Sequence, residues 1–203
     1  MKKPKDYESV QASGSYENLP AGGYVCKIIN AEERVSQSGK DMIVLTLDVS
    51  EGDRAGIFKR KFDGDTRDLP KWPNGGMYYQ VIYDDEGNTK PSFKGMCTSI
   101  EESNTGFTVK WGDIFPACLI GKSVGVLFGE EEYVIRYGKR QGEIGVSVKP
   151  TFLCSAGRIR EGDFDVPLRK PLGGQANRSK KAAADETSLE DFFNIPANDL
   201  PFG

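Results

Sequence analysis

The sequence predicts a mainly β protein with one helix, and three features carry that expectation. Short runs alternate apolar with polar residues, the period of a half-buried strand, and Gly-containing turn signals separate them. A single stretch, Pro91 to Ser103, changes to a helical period. The last nineteen residues, Asp185 to Gly203, hold five acids, no Lys or Arg and no periodic pattern. A terminus of that composition cannot bury a core of its own, so its phenylalanines are offered to something else.

Taken in order, residues 1–18 are polar and Gly/Ser-containing, a flexible arm. After the turn signal Pro20-Ala21-Gly22-Gly23, residues 23–33 form a first strand with Tyr24, Cys26 and Ile28 on one face. Ser36 to Asp41 turns, and residues 42–51 form a second strand that points Ile43, Leu45, Leu47 and Val49 inward and Val44, Thr46 and Asp48 outward. Residues 57–63 read as a third strand, Phe58, Arg60 and Phe62 against Ile57, Lys59 and Lys61, completing a meander. Residues 64–88 are irregular, and the segment Met77 to Tyr83 fits a short helix or a strand equally well. From Pro91, Phe93, Met96, Cys97 and Ile100 recur at helical spacing, with Pro91 in the first turn and Gly106 beyond the end. Phe107 to Trp111 fits a short strand. Residues 123–128 and 133–137 then lead through Gly138-Lys139-Arg140-Gln141-Gly142 into residues 144–154, a long hairpin with a basic tip. Residues 158–167 form an ordered edge that closes the domain. Three strands, a helix and two more strands give an OB-fold-like five-stranded barrel, although sandwiches and small α+β folds share that order. The organisation expected is a flexible N-terminal arm (1–18), an OB-like domain (19–168), a basic linker (169–184) and a disordered acidic C-terminal tail (185–203).

Composition narrows the function. Of the net charge of −3, the five positive residues of 166–184 cancel the five acids of the tail, so the mildly acidic balance belongs to residues 1–165. A DNA site on such a body must be a local patch. With no histidine, the commonest metal ligand and general base is missing. Cys26, Cys97, Cys118 and Cys154 show no CxxC pairing and read as small buried apolar groups. Neither GxxxxGK[ST] nor GxGxxG occurs, and no carboxylates are spaced as a nuclease needs. No catalysis and no cofactor are therefore expected. The N-terminus has no apolar run, hence neither signal peptide nor membrane span, and the expected location is the cytoplasm, that of a bacterial host if the chain is phage-encoded.

Several segments together carry a family resemblance: Leu19-Pro20-Ala21-Gly22-Gly23-Tyr24, Tyr78-Tyr79-Gln80, Phe93-Lys94-Gly95, Phe128-Gly129-Glu130-Glu131-Glu132-Tyr133 and Arg160-Glu161-Gly162-Asp163-Phe164. They resemble proteins encoded in the replication and recombination modules of phages and prophages of Gram-positive bacteria, in part held to bind single-stranded DNA. Separately, Asn198-Asp199-Leu200-Pro201-Phe202 is similar to the acidic tip of bacterial single-stranded DNA-binding proteins, which recruits replication and repair enzymes; here Gly203 follows the phenylalanine and displaces the terminal carboxylate. Glu186-x-x-Leu189-x-x-Phe192-Phe193 is similar to sliding-clamp-binding peptides, with Glu186 where those have Gln.

An unspecific single-strand binder needs cations for phosphates and aromatic faces for bases. Three places supply both: Phe58, Lys59, Arg60, Lys61 and Phe62; Lys71, Trp72, Tyr78 and Tyr79; and Tyr133, Arg136, Tyr137, Lys139 and Arg140. The alternative for Phe58 and Phe62 is the core, which their shared face favours, and for Trp72 and Tyr137 it is packing against the domain. Glu130-Glu131-Glu132 would repel phosphate in a groove and reads as a face turned from DNA or a solvated turn. Leu189, Phe192, Phe193, Asp199, Leu200, Pro201 and Phe202 are the expected partner-binding residues of the tail. The sequence reading is a phage-type single-stranded DNA-binding protein that recruits replication or recombination proteins, with no membrane partner; a homo-oligomer is compatible with it. The rival reading is a phage interaction or assembly module that never touches nucleic acid.

Overall fold

The computed structural model describes residues 2, 3, 5 and 18–173. Five strands, β1 (Gly22–Val35), β2 (Asp41–Val49), β3 (Met77–Val81), β4 (Ser123–Val134) and β5 (Ile144–Cys154), form one antiparallel sheet in the order β3-β2-β1-β4-β5. The long β1 pairs through residues 22–27 with β4 and through residues 26–35 with β2, with an irregularity between Ile28 and Asn30 where it bends. The sheet is not closed. No ladder joins its edge strands β3 and β5, although a 3-10 turn at Asn74–Gly76 packs against β5 so closely that a Cβ on Gly75 would lie 3.1 Å from the Val148 carbonyl oxygen.

The first expectation to fall is the third strand. Residues 57–63 are a helix, α1 (Ile57–Asp63). The local physics explains why. Gly56 enters it with φ 74°, a left-handed conformation closed to most residues. The Asp48 carboxylate of β2 then accepts the Phe58 N–H at 3.0 Å, satisfying a first-turn donor from outside the helix. Lys59 bridges to Asp63 one turn on at 2.6 Å. Phe58 and Phe62 still share a face, now at i and i+4, and Phe58 stacks on Phe128 inside the core at 6.0 Å between ring centres. The third strand is instead Met77–Val81, in the stretch where helix and strand were undecided.

The helix α2 (Pro91–Ser103) matches its expected bounds and buries Phe93, Met96, Cys97 and Ile100. Asn104 fastens its end to β4, donating to the Ile100 and Ser123 carbonyls and accepting the Ser123 N–H. Among the described residues there are three α-helices beyond the one expected: α1, α3 (Phe115–Leu119) and α4 (Ala156–Glu161). Phe107 to Trp111 is not a strand, and the two strands expected over 123–137 are one, β4. In β2 the expected outward residues Val44, Thr46 and Asp48 are buried as well, and α1 lies over that side at Asp48, which accepts the Phe58 N–H. Cys26, Cys97 and Cys154 are buried free thiols and Cys118 is half-buried. Burial pushes the Cys97 thiol up to about 11.

After α4 the chain runs back along the outside of β4. The Phe164 ring lies where a Cβ on Gly23 would come within 2.6 Å, Pro167 packs on Gly129, and Lys170 makes a parallel bridge with Glu131. This strap uses the edge of β4 beyond the reach of β1. Among the described residues no helix is long and apolar enough to cross a membrane.

Candidate nucleic-acid interface

Because residues 57–63 are helical, Lys59, Arg60 and Lys61 fan around an axis instead of alternating across a sheet. Lys59 is engaged by Asp63, and the Arg60 guanidinium donates to the Ala55 carbonyl. Lys61 turns toward the irregular segment that follows. There Asp65 organises the loop: its carboxylate takes the Arg67 guanidinium through both oxygens and accepts the Lys71 N–H at 3.0 Å. The hydrogen bonds from the Arg67 side chain and the Lys71 N–H hold the Asp65 carboxyl well below the usual carboxylate range. The result is a cleft of about 420 Å³ lined by Lys61, Asp65, Arg67, Lys71, Trp72 and Asn74.

Lys61 is its informative member. Among the described residues no carboxylate or other acceptor holds its ammonium, and burial lowers its proton affinity from the ordinary lysine value of 10.5. A half-buried cation without a counter-charge is poised for an anion that arrives from outside. Trp72 forms the wall of the cleft. Its indole N–H donates to the Leu47 carbonyl at 3.2 Å, and its ring lies 5.4 Å from that of Phe62, so one edge is fixed to the domain. Sequence reasoning listed Lys61 and Lys71-Trp72 as separate places; the helix brings them together. It missed Arg67 and Asn74, and the Asp65-x-Arg67 pattern was the available signal.

The hairpin joining β4 and β5 is the second basic element. Tyr137 is 85% exposed at its tip, and Arg136 and Lys139 have no acidic partner among the described residues, whereas Arg140 pairs with Glu143 at 2.7 Å. Exposed Tyr133, Val134, Ile144 and Val146 line the stem. The Asn74–Gly76 turn meets β5 at Val148, four residues from the start of that strand, so the cleft sits at the foot of the hairpin, about 13 Å from Ile144 at ~3.3 Å per residue. Tyr79 is a half-exposed ring on β3, beside Val44 of β2.

The acidic triplet is not a solvated turn, for it lies within β4 and its carboxylates are engaged. Glu130 takes Arg169 at 2.6 Å, Glu131 takes Lys149 at 2.7 Å and Lys170 at 3.3 Å, and Glu132 accepts the Leu172 N–H at 3.2 Å. These contacts fasten the strap to β4 and neutralise Arg169 and Lys170, the first two cations assigned to the linker. Elsewhere, Trp111 is 65% exposed and lies flat on Phe115, 5.2 Å between centres. Read as a short strand, residues 107–111 give no sign of this exposed ring. The tail residues Leu189, Phe192, Phe193, Asp199, Leu200, Pro201 and Phe202 lie outside the described residues.

A family model described as "Protein of unknown function (DUF669)" matches residues 5–64, less than a third of the chain, covering β1, β2 and α1. No curated protein matches the chain.

Proposed function

We propose that the chain is a single-stranded DNA-binding protein of phage type, coating DNA without strong sequence preference and recruiting replication or recombination enzymes through residues 185–203. The observation that carries this reading is the cleft itself: Lys61, held without a counter-charge, shares it with Lys71 and the Asp65–Arg67 ion pair beside the Trp72 wall, at the foot of a hairpin bearing Arg136 and Lys139. Cations that follow phosphates and rings beside them are what sequence-tolerant strand binding requires. An OB-type architecture is supported by the five strands, the long bent β1 shared between two neighbours, the helix between β3 and β4, and the β4–β5 loop, one of the two loops with which OB domains hold oligonucleotides. The resemblance to proteins of Gram-positive phages and the tip like that of bacterial single-stranded DNA-binding proteins agree with the reading, and the host bacterial cytoplasm is the location that goes with it. The exposed apolar stem of the hairpin favours the rival reading, a protein-interaction module. Titration of the full chain with oligo-dT separates the two. Binding that is tight at low salt and weakens steeply as salt rises is expected, and undetectable binding at low salt selects the rival.

A further inference from the structure

The open seam of the sheet holds a second cavity. Between the edge strands β3 and β5 lies a slit of about 520 Å³, within the ~300–1,000 Å³ range of small-molecule sites. Each rim carries an aromatic ring turned outward, Tyr79 from β3, 53% exposed, and Phe152 from β5, 51% exposed. Neither ring stacks on another among the described residues. The floor is fixed and polar: the Tyr78 hydroxyl donates to Gln80 Oε1 at 2.9 Å, and Gln80 Nε2 donates to Ser92 Oγ at 2.8 Å and to the Val81 carbonyl at 2.7 Å. Ser92 keeps its own hydroxyl proton to donate into the slit. Asn74 lines both this slit and the cationic cleft, so the two cavities adjoin at that residue.

We propose that the slit is a nucleobase subsite, taking one unstacked base of a single strand between Tyr79 and Phe152 while the neighbouring phosphates lie in the Lys61–Lys71 cleft. The inference rests on the reading of the chain as a single-strand binder. Charge complementarity chooses the occupant, because the opening next to the aromatic slit is cationic and its Lys61 has no counter-charge. An added peptide strand fits less well, since the β5 rim contains Pro150, which has no N–H for a continuous ladder, beside the register shift at Leu127/Phe128. Stacking between rings is indifferent to base identity, which suits a coating protein.

The test compares an oligo-dT with an abasic strand of the same length on the full chain, by fluorescence anisotropy. Wild type is expected to prefer the dT strand by about five- to a hundredfold for the stacked base. Phe152→Ala and Tyr79→Ala should each remove much of that preference, leaving abasic affinity and salt dependence unchanged. Both rings are half-exposed, and Phe152→Leu and Tyr79→Leu, which keep the apolar bulk and lose the π face, should show the same loss with an unchanged melting profile. Equal affinity of wild type for the two strands, or ring variants that bind dT as wild type does, would overturn the subsite and leave DNA binding standing. A wild type that binds neither strand overturns both.

Discussion

Lys61 is held in the fold at a cost to stability, and that cost has a sign that can be measured. Burial lowers its affinity for a proton relative to the ordinary value of 10.5, so the unfolded chain holds that proton more firmly than the folded one. The charged form therefore opposes folding at neutral pH, and the opposition fades as pH rises through the folded value toward 10.5. Lys61→Met is expected to raise the melting temperature at pH 7, by a margin that shrinks near pH 10.5, while weakening DNA binding. A lower melting temperature at pH 7 would show that the ammonium has a stabilising partner. Asp48 presents the opposite balance. Burial raises its carboxyl, and the hydrogen bond it accepts from Phe58 compensates by starting α1. Each group is an unfavourable burial, but only that of Asp48 is offset, in part, inside the fold. A cation kept without internal compensation points to a ligand.

Legibility differed from element to element for physical reasons. The helix α2 was readable because thirteen residues give its periodicity room to show and all its buried positions but Ser99 are apolar. The helix α1 was not, because seven residues reading Ile57-Phe58-Lys59-Arg60-Lys61-Phe62-Asp63 satisfy a period of two as well as 3.6, and its cap comes from a residue on β2. The outward face of β2 was misread because alternation shows which residues share a face and not what covers it. Phe152 escaped notice as a binding residue because the register shift near Leu127/Phe128 decides how its surroundings pair. The basic tip of the β4–β5 hairpin was legible, though its charge was overcounted, for Arg140 already pairs with Glu143. Lys139→Ala combined with Arg140→Ala should therefore reduce the slope of log Kobs against log salt by about 0.7, one phosphate contact, instead of about 1.4. A reduction near 1.4 would mean that Arg140 leaves Glu143 for DNA, and no reduction would remove the hairpin from the interface.

The molecule as a whole assembles its interface from regions far apart in sequence. The curled sheet brings the Asn74–Gly76 turn against β5, and so places the α1 cation, the 64–73 loop, the seam and the hairpin along one side. Three acids elsewhere are occupied: Glu130, Glu131 and Glu132 are spent on Arg169, Lys149, Lys170 and the strap backbone, away from the local cationic path. The central claim is that phosphates of single-stranded DNA enter the Lys61–Lys71 cleft. Its most direct test is the salt dependence of oligo-dT affinity for wild type and for Lys61→Met combined with Lys71→Met, with folding of both checked by thermal melting. The account predicts that the variant binds less tightly at low salt and that its slope is shallower by about 1.4, the two lost phosphate contacts. Identical slopes and affinities for the folded variant and wild type would contradict it.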